Sequence, residues 1–272
     1  MKLDHYSASQ HGMIYRCGEQ YRRRYVCGDK LPPAIIMIRG RVVHATVEAN
    51  MIAKMDGGGI SADEAKDMAA DVFKAEATQG FVIDGPYLEA GFTPKQAEAH
   101  VYDDAIHLSA YHVEHVAPSI EPTAVEVRIE IKPSEALPVT FVSILDIIHD
   151  GRAPIDTKTK AKAPDAEDAN DSEQLSGQSL AFRARYHKPE DFLRLDVLVR
   201  TPKARKITKY PLKTTRSLDD LAVFVFRANA ALQLIDKEIF LPASPDAWVC
   251  NPVWCGYYDS CPYARGRKRP TS

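Results

Sequence analysis

Two aspartates and a lysine around a single turn carry the first chemical signal in the sequence. "FVSILDIIHDG" ends an apolar run on Asp146, and "IDTKTKAK" sets Asp156, Lys158, Lys160 and Lys162 at a two-residue spacing. That spacing predicts a β-strand with one charged face, because successive side chains point to opposite sides. With a three-residue loop at 150–152, His149 pairs with Ala153 and Asp146 falls opposite Asp156. Cross-strand neighbours lie about 5 Å apart, and carboxylates that close repel unless a positive charge stands between them. Magnesium or manganese answers that need, since both prefer oxygen ligands and keep positions open for water and phosphate. Lys158 shares the face of Asp156, within reach of an attacking water or of charge building on a phosphate. The plainer reading is a solvated strand face, and Lys160 and Lys162 fit it. Glu126, on a strand upstream, reads as a surface acid or as a partner behind the aspartates.

The cysteines give a second signal. Cys17 and Cys27 stand near one end, and Cys250, Cys255 and Cys261 near the other. Five is an odd count for disulfides, and in a reducing compartment thiols gathered this way favour zinc or an iron–sulfur cluster, with unpaired buried thiols as the alternative. Cys27 is the spare, suited to packing as a small hydrophobe. Between the first two, "YRCGEQYRRRY" interleaves tyrosines with Arg16, Arg22, Arg23 and Arg24. Arginines track phosphates and aromatic faces stack on splayed bases, so Arg16, Tyr21, Arg22 and Arg23 are candidate DNA contacts; a solvated helix face is the alternative. "RGRKRP", at 265–270, reads as a basic tail with weak DNA affinity.

The elements that must position these residues follow from caps and periodicity. Ser7 with Gln10 predicts a helix over about 8–26, and a second spans about 34–55. Ser61 with Glu64 opens a third, and Thr93-Pro94 with Gln96 a fourth that runs to about 116. Alternation then appears in "TAVEVRIEIK", and "LPVTFVSILDII" is apolar enough to be covered on both faces. "RAPIDTKTK" is the returning strand, and the acidic "AKAPDAEDANDS" after it a mobile loop. "SEQLSGQSLAFRARY" predicts a helix, "DFLRLDVLVR" and "RKITKYPLK" two further strands, and Ser217 with Asp220 caps a helix over about 218–238. The expected fold is α/β, a mixed sheet flanked by helices with an N-terminal helical elaboration. One domain over 1–272 is expected: 1–120 mainly helical, 121–215 the sheet core, 216–272 a helix and the cysteine segment.

Composition adds exclusions. The 272 residues carry a net charge of −2 with 45% hydrophobic residues, so any nucleic-acid surface must be a local patch. No run of about 18 apolar residues marks a membrane span. "MKLDHYSASQ" has no apolar signal-peptide core, so a cytoplasmic location is expected.

Asp146 followed by "IDTKTK" resembles the core motif of the PD-(D/E)XK nuclease superfamily, in particular its RecB-like branch of CRISPR-associated and phage exonucleases. Four further stretches resemble that branch in the same order: "YSASQHGMIYRCGEQYRRRY", "RGRVVHATVE", "QLSGQSLAF" and "CNPVWCGYYDSC". The sequence departs from the pattern at Ser143, where the branch has glycine, at Gln178, where it has tyrosine, and in the four residues between Cys250 and Cys255. The resemblance implies a restriction-endonuclease-like core in which His44, Asp146 and Asp156 hold magnesium or manganese, with the Thr157 carbonyl completing the shell. It implies catalytic roles for Asp146, Asp156, Lys158 and Gln174. It also implies a 4Fe-4S cluster on Cys17, Cys250, Cys255 and Cys261 that joins the two ends, with zinc as the alternative occupant.

The function expected is hydrolysis of DNA phosphodiesters by metal-activated water, as an exonuclease on single-stranded or frayed ends. By the resemblance, a chain with no helicase segment fits a phage, prophage or CRISPR-linked setting. Two rivals stay open: a non-catalytic DNA-binding module with a structural iron–sulfur cluster, and a subunit active only with recombination or CRISPR-type protein partners.

Overall fold

The computed structural model describes residues 3–83, 85–201, 205–244 and 246–264. The basic tail expected at 265–270 lies outside them. Among the described residues, no helix is long and apolar enough to cross a membrane.

The capping signals act where the sequence places them. Ser61–Glu64, Thr93–Gln96 and Ser217–Asp220 each form a reciprocal box, satisfying backbone N–H groups that a helix start leaves orphaned. They open helices α4 (Ala62–Ala77), α6 (Pro94–His115) and α8 (Leu218–Asp236). Helix α3 (Ile35–Met55) matches its predicted span, and a short α5 (Gly85–Glu89) was not foreseen. The single helix expected over 8–26 is broken: α1 (Ala8–Arg16) ends at an extended Cys17, α2 (Gly18–Tyr21) restarts, and 22–26 winds as a π-helix. The cause is a long-range contact. Gly18 N donates to Leu241 O at 2.7 Å, and a Cβ on Gly18 would lie 2.7 Å from backbone atoms of Leu241. The C-terminal segment thus docks backbone to backbone at the break, a closeness only glycine permits.

Six strands form one mixed sheet: β1 (Tyr6–Ser7), β2 (Pro122–Ile131), β3 (Phe141–His149), β4 (Ala153–Lys160), β5 (Leu193–Arg200) and β6 (Ile207–Thr214). Antiparallel β2 covers one edge of β3 from Phe141 to His149. The opposite edge is shared. β4 pairs there only from Ile147↔Ile155 to His149↔Ala153, the register expected of the three-residue loop, and β1 pairs in parallel at Phe141 and Val142. Between those contacts β4 leaves β3 and pairs in parallel with β5, through Ile155↔Arg194 to Lys160↔Val199. The gap opens at Asp146 and Asp156.

Helices cover both faces of the sheet. Val43, Val47 and Met51 of α3 and Leu108 of α6 pack on Ile147, Ile155 and Leu198. On the other face Ala181 and Phe182 of α7 (Glu173–Tyr186) meet Ile129, Leu145 and Ile148. Each such aliphatic side chain contributes roughly 1.5–3 kcal/mol on full burial, so the two layers hold the gap in place. Gly177 lets α7 approach closely: a Cβ there would sit 3.0 Å from the Phe141 ring. The loop expected to be mobile is tied down, since Arg216 donates to Ala169 O and Ser172 O, and Lys160 pairs with Asp168.

Candidate metal centre and active-site cleft

The gap between β3 and β4 is the floor of a cleft of about 610 Å³, with α3 on one side and α7 on the other. His44 projects from α3, and its Nδ1 stands 3.3 Å from Asp146 Oδ2. Thr157 N donates to the same oxygen at 3.4 Å, so the chain that leaves β3 still touches its carboxylate. His44, Glu126 and Asp146 bring ligand atoms within 4.8 Å of one another. Glu126 reaches the centre from β2 with φ of 50°, a conformation uncommon outside glycine and concentrated at functional sites.

Asp156 is fully buried beside this group. Lys158 Nζ lies 2.7 Å from Oδ2 and donates to Oδ1 at 3.0 Å. Gln174 Nε2 donates to Oδ1 at 2.6 Å, and Gln178 Nε2, one turn on along α7, donates to it at 3.2 Å. Gln178 also reaches Ile144 O, on the β3 edge that no strand covers among the described residues. The residue that departs from the expected tyrosine therefore braces the buried carboxylate. Ser143, the other departure, is buried in the cleft wall.

The electrostatics follow from crowding. Burial and the nearby Asp156 charge push the Asp146 carboxyl well above the usual carboxylate range. Burial raises Glu126 too, helped by Glu48 and Asp156. Burial opposes the charged form of Lys158, yet Asp156 and Asp146 outweigh it and hold the ammonium on. Burial and the Lys158 charge lower His44, which keeps its ring neutral and able to ligate.

Sequence and structure agree on His44, Asp146, Asp156, Thr157, Lys158 and Gln174 as neighbours. Glu126, which alternation reads equally as a surface acid or as a partner behind the aspartates, stands among the ligand atoms; its partner strand is joined through residues 132–140, too long a connection to fix a register. Gln178 carried a usable signal, lying four residues after Gln174 on the same helix face.

The DNA contacts expected on the first helix divide differently. Tyr21 is wholly buried against Tyr25 and Phe240, leaving no ring face for a base. Arg22 and Arg23 both donate to the buried Glu19, and Arg23 also reaches Ser260 Oγ and O at 2.7 Å. Arg23 thus clamps the C-terminal segment, while Arg22 stays within its own helix region on Glu19 and Cys27. Arg16 alone of the four is exposed.

That segment brings Cys17, Cys250, Cys255 and Cys261 to the wall of one small cavity. Ala243 N donates to Cys17 Sγ at 3.3 Å and Gln20 Nε2 to Cys255 Sγ at 3.2 Å. Cys27 is exposed beside Arg22 and so does not pack as a hydrophobe.

A crystal structure from Eubacterium rectale named "Putative exonuclease" is similar over 99% of this chain and 91% of its own, at 13% identity and a TM-score of 0.57. At that identity the likeness concerns the fold. A second, SSO0001, aligns over 97% of this chain and 88% of its own at 14% identity, with a TM-score of 0.43. No curated protein sequence matches. The profile of one family spans residues 5–265, nearly the whole length that builds the sheet, the cleft and the cysteine wall. The chain belongs to the PD-(D/E)XK nuclease superfamily.

Proposed function

We propose that this protein is a divalent-cation-dependent deoxyribonuclease that degrades DNA from single-stranded or frayed ends. The observation that carries the proposal is the charge balance of the cleft. Glu126, Asp146 and Asp156 converge there with Lys158 as the cation set among them, since Arg41 and Arg128 on the cleft wall pair with Glu76 and Glu130, and the raised pKa values of Glu126 and Asp146 mark the imbalance. Two further positive charges restore neutrality, and the donor set of two carboxylates and a neutral imidazole suits magnesium or manganese.

When bound, such an ion supplies charge against the phosphate and makes a nearby water more acidic. The chain's own residues do the rest. His44, Glu126 and Asp146 would hold the ion, with Asp156 and the Thr157 backbone beside them. Gln174 and Gln178 fix the Asp156 carboxylate, and Asp156 fixes the Lys158 ammonium. An anchored ammonium orients water and opposes charge growing on the phosphate without reorganising during reaction. The exonuclease reading draws on the motif resemblance and on the name of the Eubacterium rectale protein.

The test is degradation of end-labelled single-stranded DNA with manganese. We expect Lys158→Met to lower the rate at least about a thousandfold while leaving manganese binding intact. Tight DNA binding without degradation by the wild type would replace the enzyme with a binding module. Activity that needed an added recombination or CRISPR-type protein would place it as a subunit.

The cysteine wall is read as a 4Fe-4S site. Four thiols on one cavity wall suit an iron–sulfur cluster or zinc alike, and the motif resemblance favours the cluster. Purified protein should carry iron and sulfide and lose both in Cys255→Ser; stoichiometric zinc in colourless protein would overturn this.

A further inference from the structure

A second groove, of about 310 Å³, runs beside the cleft, and Arg41 lines both. Arg16 and Arg24 stand along it with Met37, Val82 and Trp254, and no carboxylate is among its lining residues. Among the described residues neither Arg16 nor Arg24 forms an ion pair, whereas Arg22 and Arg23 are both committed to Glu19. Met37 is 49% exposed and Val82 40%, an apolar surface with basic groups set into it. Arg41 pairs with Glu76, but both are partly exposed, and such a pair exchanges readily for a phosphate.

We infer that this groove is the track of the DNA strand: one single strand passes Arg41 out of the cleft and lies along Arg16 and Arg24, its bases against Met37 and Trp254. The inference rests on the nuclease reading and adds to it the path that the strand takes outside the cleft. A duplex keeps its bases stacked inward and offers nothing to the apolar wall, while a single strand presents phosphates and base faces together. Two features choose this occupant. The groove's charge complements a phosphate backbone, and it is continuous through Arg41 with the site where a phosphate must sit. The strand in the cleft has to extend beyond the scissile bond, and this is the adjoining basic path.

The experiment compares wild type with the Arg16→Glu/Arg24→Glu double variant and an Arg185→Glu control on a different helix. Affinity for a thymidine oligomer of about 20 nucleotides is measured in chelator across salt concentrations, so cleavage plays no part. The double variant should bind at least about tenfold more weakly, with a log–log salt slope shallower by about 1.4, from two phosphate contacts worth about 0.7 each. A small chromogenic phosphodiester with manganese should be hydrolysed at the wild-type rate, showing an intact fold and cleft. Equal affinity in wild type and double variant, or an equal loss in the Arg185→Glu control, overturns the track. Absence of wild-type hydrolysis of both the small diester and DNA would instead count against the nuclease reading, with the binding arm still deciding the groove. In a Trp248→Phe background Trp254 is the sole tryptophan, and its fluorescence should be quenched by the oligomer; no change refutes contact with the bases.

Discussion

Asp146→Asn should make the metal-free protein more stable and the manganese-loaded protein less stable than wild type. The Asp146 side chain is only 15% exposed, and a Glu126 oxygen lies within 4.8 Å of its ligand oxygen. At an effective dielectric of about 20, unit charges about 5 Å apart repel by about 3 kcal/mol. Asp156 and Glu126 both repel Asp146, while Lys158 attracts it and offsets about one of the two. Protonation offers an escape that burial and Asp156 have made easier, and Glu126 is exposed enough for its share to be screened. About 1–2 kcal/mol of strain should therefore remain at neutral pH. Asparagine keeps the shape and still accepts from Thr157 N, so the substitution opens no cavity. In chelator the variant should melt about 2–8 °C higher, at about 2–4 °C per kcal/mol for a chain near this size. Manganese at a hundredfold its Kd stabilises wild type by about 2.7 kcal/mol, and the variant should lose most of that gain. Thermal unfolding with chelator and then with a manganese titration reads both signs in one protein pair. A variant less stable than wild type in chelator, or stabilised as much by manganese, would refute the crowded-carboxylate account of the cleft.

Gly18→Val places carbon where Leu241 backbone atoms stand 2.7 Å away, so the C-terminal segment must shift. A loss of about 1–3 kcal/mol and faster proteolysis after residue 240 are expected; an unchanged digestion pattern would remove this contact from the docking. His112 is fully buried with no hydrogen-bond partner for either ring nitrogen among the described residues, and burial with the Arg194 charge pushes its pKa down to about 3. Above its ordinary value near 6.5 both states are neutral; as pH falls from there toward 3 the unfolded chain takes up a proton that the folded one refuses. Stability is lost over that window, about 2 kcal/mol of it by pH 5, and the stability difference between His112→Leu and wild type should move in the variant's favour by that amount.

Whatever depends on near neighbours along the chain is legible in the residues alone. The loop at 150–152 closes a hairpin through its own hydrogen bonds, so the His149↔Ala153 pairing and the approach of Asp146 to Asp156 could be counted out residue by residue. Capping boxes are equally local, satisfied within three residues, and three of them open helices where the reading placed them. The motif resemblance implies one site shared by Cys17 and the three late cysteines, and the two ends do meet at one cavity wall.

Features that need surfaces far apart in the chain take shape only when those surfaces pack together. Whether Glu126 faces solvent or the centre follows from how β2 lies along β3 and from an uncommon backbone angle, and neither leaves a trace in alternation. The break at Cys17 and the burial of Tyr21 exist because the segment around 240 covers the first helix; periodicity within 8–26 contains no information about that cover. The same docking gives Arg23 a second set of acceptors on Ser260, a partner 237 residues away that the run of arginines could not reveal. Local hydrogen bonds repeat wherever their short pattern recurs, whereas packing partners are selected by the shape and apolar area of the whole molecule.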